Sequence, residues 1–155
     1  MTSATTDRDA LVERIFIEAP PERVFRALTE SDELLAWWGD DAHYRCTSWT
    51  LELRVGGAWR SEGRNAAGMP FVVEGSFVEV DSPRVLAFTW KPSWLEVAPT
   101  TVRIALEARG RGTDLTWTHS GFARYPKALE DHRGGLPTVL AWLKGFLEGT
   151  RSEVP

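Results

Sequence analysis

Between Thr47 and Ser120 the chain is written almost entirely in short alternating runs broken by tight-turn chemistry. In "WTLELRV" the residues Leu51, Leu53 and Val55 oppose Glu52 and Arg54, and Gly56-Gly57 turns the chain into "AWRSEGR". The turn "NAAGMP" leads into "FVVEGSFVEV", "DSPR" into "VLAFTWK", "PSWLEVAP" bridges to "TTVRIALEA", and "RGRGTD" closes on "LTWTHS". A period of two residues marks a strand, and strands joined by turns this short run antiparallel, because a parallel pair needs a long crossover. The stretch therefore reads as a meander of about six strands.

The flanks supply the rest. "ALVERIFIEA" alternates as a first strand and stops at Pro20-Pro21, after which "PPERVFRALTES" sets Val24, Phe25 and Leu28 on one helical face. Ser31 is expected to cap a second short helix, with Leu34, Leu35 and Trp38 on one side, Glu33 in the first turn and Gly39 as the stop. Beyond Tyr125-Pro126, Leu136, Val139, Leu140, Leu143, Phe146 and Leu147 form a helical stripe. Gly134, Gly135 and Pro137 interrupt its start, and a kink or restart is expected there, since proline removes a helix hydrogen bond. The order is that of an α+β domain whose curved antiparallel sheet has one large element to cover its apolar face, the C-terminal helix. One helix across a strongly curved sheet leaves space, so an internal pocket is expected.

The length of 155 residues suits a single domain, 1–155, with an ordered core over about 10–149. Eight tryptophans are many for that size, and rigid aromatic walls commonly meet ligands. A net charge of -4 with scattered basic residues argues against nucleic acid. Neither a signal-peptide pattern nor a run of roughly 20 apolar residues occurs, so no membrane partner and a cytoplasmic setting are expected. Cys46 is the single cysteine and reads as a small buried hydrophobe, not a nucleophile. No phosphate-binding glycine loop, Gly-x-Ser-x-Gly elbow or His-Glu-x-x-His helix is present, so no cofactor and no metal are expected.

The runs "IEAPPERVFRALTESDELLAWWG", "LELRVGGAWR", "GSFVEVDSPRVLAFTW" and "GTDLTWTHSGF", with the closing helix, resemble the Activator of Hsp90 ATPase homologue 1-like family of the START/Bet v 1 (SRPBCC) superfamily. The resemblance spans about Leu11 to Leu147 and implies a helix-grip fold, a sheet wrapped around a long C-terminal helix with a deep apolar cavity. It selects no activity, because that superfamily includes lipid and hormone binders, polyketide cyclases, a hydrolytic resistance protein and a co-chaperone domain. Where many relatives carry Gly-Trp, this chain has Gly135-Leu136-Pro137, which implies a bent helix and an altered cavity.

Strand parity and the resemblance together nominate Trp59, Phe77, Phe88, Trp90, Trp117, His119, Leu136 and Leu140 as lining residues for a hydrophobic or aromatic small molecule. His119 would be the polar anchor. Its plainer reading is a histidine hydrogen-bonded at a strand end. In a second, enzymatic reading, cyclase-like or hydrolytic, His119 or Glu74 moves a proton on the ligand. Both parities of "FVVEGSFVEV" carry apolar residues, so Glu74 is assignable to either face. Arg60, Glu62 and Arg64 are expected outside, as cross-strand ion pairs. His132, Asp131 and Glu130 are expected on a solvated helix face, and His43 with Asp40 and Asp41 in a polar loop. A third reading is a co-chaperone-like interaction module with a chaperone partner, and exposed aromatics leave room for a homodimer. Consecutive helical residues point about 100° apart. In "DELLAWWGDD" that puts Trp38 in the core beside Leu34 and Leu35, and Trp37 at the pocket mouth.

Overall fold

The computed structural model of the protein describes residues 9–149. β1 (Ala10–Ile17) is followed by α1 (Pro21–Thr29), α2 (Ser31–Trp37) and a two-residue strand β2 (Gly39–Asp40). Then come β3 (Tyr44–Leu51), β4 (Ala58–Asn65), β5 (Pro70–Asp81), β6 (Val85–Pro92), β7 (Thr100–Arg109) and β8 (Gly112–Ser120), and the chain closes with α3 (Pro126–Glu148). All strands lie in one antiparallel sheet, ordered β1-β8-β7-β6-β5-β4-β3-β2, so the meander is intact and β1 returns to pair with the last strand. The sheet curves as a half-barrel in the helix-grip arrangement, and α3 packs against β1 and both short helices.

Three local expectations change. The strand read in "WTLELRV" lies earlier, over Tyr44–Leu51, and Leu53 and Val55 are exposed in the connection to β4. The chain doubles back there. Glu52 donates its backbone N–H to Ala58 O, and Gly57 sits so close to Glu52 O that a Cβ would fall 2.0 Å from it. Ser31 is the first residue of α2 and caps nothing, since Glu30 stands at the N-cap without a side-chain bond. Leu35, placed with the core residues by the sequence, is exposed.

β5 explains why its two parities are both apolar. Its register against β6 slips between Phe77 and Glu79, leaving Val78 as an extra residue on the exposed face. A bulge of this kind reverses the alternation beyond it. Val73 and Phe77 point inward before the slip, and Val80 packs on the core after it. Glu74 is thereby fixed on the outer face.

α3 is continuous through Gly134, Gly135 and Pro137, with Pro137 inside the helix and no restart. The buried run Leu136, Val139, Leu140, Leu143 crosses the weak stretch and ties it to the core. Tertiary packing supplies what local propensity lacks.

Candidate functional site

A cavity of about 650 Å³ lies under the first half of α3, lined on the sheet by residues of β3 to β8. The helix contributes Leu136, Val139, Gly135, His132 and Asp131, and the sheet contributes Trp49, Ser61, Val73, Trp90, Val102, Trp117 and His119. Tyr44, Cys46 and Phe71 complete the wall near α2, and exposed Met69 and Trp94 sit at the rim. The neighbouring part of the concave face is packed. Among Trp59, Phe77, Phe88, Leu86 and Ile104 only about 20 Å³ is free, about the space of a single water.

The nominated lining residues therefore divide. Trp90, Trp117, His119 and Leu136 line the large cavity. Trp59, Phe77 and Phe88 fill the sheet beside it, and Leu140 is buried in the core one turn beyond. Strand parity placed the six strand residues among them on the concave face. Parity could not say where along the strands side chains stop filling the interior.

Trp38 is buried in the core as the sequence reading had it, but Trp37 is not at the pocket mouth. Trp37 is fully buried at 0% exposure and donates its indole N–H to Ala27 O at 2.9 Å. Trp38, the C-cap residue with extended backbone, lines the cavity. The helix ends between the two, so the 100° step no longer applies. Trp38 is the hub of an aromatic wall, with ring centroids 5.0 Å from Trp37, 5.2 Å from Trp49, 6.0 Å from Trp117 and 6.1 Å from Trp90.

Six of the eight indole N–H groups have acceptors: Trp37 on Ala27 O, Trp38 on the Tyr44 hydroxyl, Trp59 on Thr89 O, Trp90 on His132 Nε2, Trp94 on Asp131 and Trp142 on Asp40. The remaining two, Trp49 and Trp117, are buried on the cavity wall with no partner, as is the hydroxyl of Ser61. Burial pushes the Cys46 thiol up, and nearby Ser61 and Trp49 draw it down by less. Neither makes a hydrogen bond of ordinary geometry to that sulfur. A thiol so raised is a poor nucleophile.

His119 is 4% exposed, and its Nε2 lies 2.7 Å from Thr100 Oγ1. The threonine hydroxyl in turn donates to Trp90 O at 3.3 Å, which leaves Nε2–H of His119 as the donor to Thr100. Burial, and then the charge of His132, lower the His119 pKa to about 3. His132 was expected on a solvated face and is instead half-buried on the cavity wall, its ring centroid 4.9 Å from that of His119. Its Nδ1 bonds to Ala128 O at 2.8 Å and its Nε2 to the Trp90 indole at 3.0 Å. A carbonyl and an N–H fix the tautomer between them, with the proton on Nδ1.

Glu74 is 53% exposed in its side chain and receives a 2.9 Å bond from Arg60, which also holds Glu62. It faces an outer cleft with Lys91 and cannot pair with His119, so the enzymatic reading loses one of its two proton carriers. His43 donates to Asp40 from its ring and its backbone at 2.7 and 2.9 Å. Burial raises the Asp40 pKa, but these two bonds and His43's charge outweigh it and hold the carboxyl below its usual range.

The sequence profile described as "Activator of Hsp90 ATPase homolog 1-like protein" matches residues 18–148. The chain belongs to that family. Solved structures share the family fold at low identity. A protein from Chromobacterium violaceum is 23% identical with a TM-score of 0.78, the match covering 92% of this chain and 99% of that one. A Rhodobacter sphaeroides protein is 22% identical with a TM-score of 0.80, covering 94% and 95%. An AHSA1-like protein from Aeromonas hydrophila is 20% identical with a TM-score of 0.72, covering 94% and 99%. No curated protein sequence matches this chain closely enough to count as a relative.

In this AHSA1-like domain Trp38, Trp49, Ser61, Trp94 and Val139 also line the cavity, beyond the residues nominated from sequence. Ser61 shares the inward parity of Trp59 and was legible. Trp49 was not, because the register of β3 slips between Cys46 and Ser48 and breaks the alternation. Trp94 lies in the bridge before β7, where no periodicity orients a side chain.

Proposed function

We propose that this domain binds an apolar, aromatic small molecule in the cavity under α3. The observation that carries the reading is an interior space of about 650 Å³ faced by the rings of Trp38, Trp49, Trp90 and Trp117. That volume falls in the range of about 300–1,000 Å³ seen for small-molecule sites, and its mostly apolar wall with a few placed polar groups has their usual composition. Family membership supports a binding or interaction module at the level of the fold. A chaperone partner rests on the family's name alone, and the cavity carries a specific observation.

As a proton carrier His119 is weak. A conjugate acid near pKa 3 sits far from the value that favours general-base catalysis at neutral pH, and Nε2 is engaged with Thr100. Its role in this reading is to hold the wall.

Val139 faces the cavity from a helix turn that is otherwise packed, so Val139→Trp directs an indole into the space a ligand would take. Screened by ligand-induced rise in melting temperature against a set of aromatic compounds, the wild type is expected to respond to several and V139W to few. A wild type that responds to none, or a variant that responds equally, contradicts the reading.

A further inference from the structure

The interior polar groups around the cavity are out of balance, and the imbalance has a sign. Trp49 Nε1 and Trp117 Nε1 are donors without acceptors, both on the cavity wall, and each residue is more than nine-tenths buried. An indole nitrogen can only donate. Ser61 Oγ, also buried and unpartnered, adds a hydroxyl. The Tyr44 hydroxyl accepts from Trp38 at 3.0 Å and donates to no described residue. Burial raises its pKa, so it keeps its hydrogen. Six other indoles in the same molecule each found an acceptor, which makes the two exceptions, both on the cavity wall, a property of the site.

The charge around these donors is equally one-sided. No Lys or Arg lines the cavity, and its one acid, Asp131, stands at the rim against Trp94. His132 spends both ring nitrogens on Ala128 O and the Trp90 indole, and His119 spends Nε2 on Thr100, which leaves its Nδ1 as the one histidine acceptor against several donors. A carboxylate or phosphate drawn inside would leave water without a cation to meet it, which is costly. A pure hydrocarbon would leave the donors unpaired, which is also costly.

We infer that the ligand is a neutral, largely aromatic molecule carrying carbonyl-type oxygens, which accept hydrogen bonds from Trp49, Trp117 and the Ser61–Tyr44 hydroxyls while its rings stack on the tryptophan wall. This rests on the proposal that the cavity is a binding site and narrows its occupant from aromatic molecules at large to uncharged acceptors.

Three probes of similar size separate the terms: benzophenone, diphenylmethane and diphenylacetate, two rings joined through a carbonyl, a methylene or a carboxylate-bearing carbon. Affinity is read by calorimetry, and the indole Nε1–H resonances are followed by ¹⁵N-edited NMR. Benzophenone is expected to bind about tenfold tighter than diphenylmethane despite being the less apolar, because a buried donor left unpaired costs more than one net hydrogen bond gains. Its binding is expected to move the Trp49 or Trp117 resonance downfield. The Trp37 resonance, already bonded to Ala27 O outside the cavity, is expected to hold still. Diphenylacetate is expected not to bind at the same concentrations.

Trp49→Phe and Ser61→Ala are expected to lower benzophenone affinity by a larger factor than diphenylmethane affinity, which narrows the benzophenone preference. The NMR readout on the wild type stands even if a variant does not fold. If diphenylmethane or diphenylacetate binds as well as benzophenone, or benzophenone binds without moving either resonance, the acceptor assignment is wrong and the cavity remains a binding site. If none of the three binds, the acceptor assignment and the binding reading fall together.

Discussion

His119 couples the cavity wall to pH. Its folded-state pKa, lowered to about 3 from an ordinary 6.5, means the unfolded chain takes up a proton that the folded one refuses between those values. Stability contributed by neutral His119 is present above pH 6.5 and is lost as pH falls, at up to about 1.4 kcal/mol per pH unit. Melting temperature followed from pH 7.5 to 4.5 is expected to fall less steeply in His119→Gln than in the wild type, with parallel curves as the contrary result. The adjacent tryptophans separate core from site. Trp37→Phe leaves a small void and orphans Ala27 O, an expected loss of about 2 kcal/mol in urea unfolding with ligand affinity kept. Trp38→Phe is expected to do the reverse, disturbing affinity more than stability, because its indole lines the cavity.

At the scale of elements, α3 shows how a local weakness is overridden. Gly134 lies mid-helix on the exposed side with open space where a Cβ would stand. Gly134→Ala is expected to raise unfolding free energy by about 0.5–1 kcal/mol without changing ligand affinity, and a loss of stability would mean the glycine is needed for a bend. The hairpins, the two short helices and the long one were all legible, because period and turn chemistry are local. What was not legible came from three places where the backbone leaves its period. The slip after Phe77 made both parities of β5 apolar and left the face of Glu74 open in the sequence, the slip after Cys46 hid Trp49, and the end of α2 between Trp37 and Trp38 let both rings turn inward, Trp38 onto the cavity wall. His132 was misplaced for another reason, since its surroundings are charged in sequence and only the rotation of α3 turns its ring toward Trp90.

Over the whole molecule, the sheet and α3 make one concave interior that is filled at one end and open at the other. Trp59, Phe77 and Phe88 fill it where strands β4, β5 and β6 meet, and the aromatic hub at Trp38 stands at the border. The family fold accounts for the concave face, and this chain's own tryptophans decide how much of it stays free. No described helix is long and apolar enough to cross a membrane. Whether the free end holds a small molecule is tested by native mass spectrometry of the protein released from cells under non-denaturing conditions. The expected spectrum carries a non-covalent adduct of small organic mass that disappears on denaturation and is absent from V139W. A spectrum of bare protein alone, or an adduct that V139W retains in full, would contradict it.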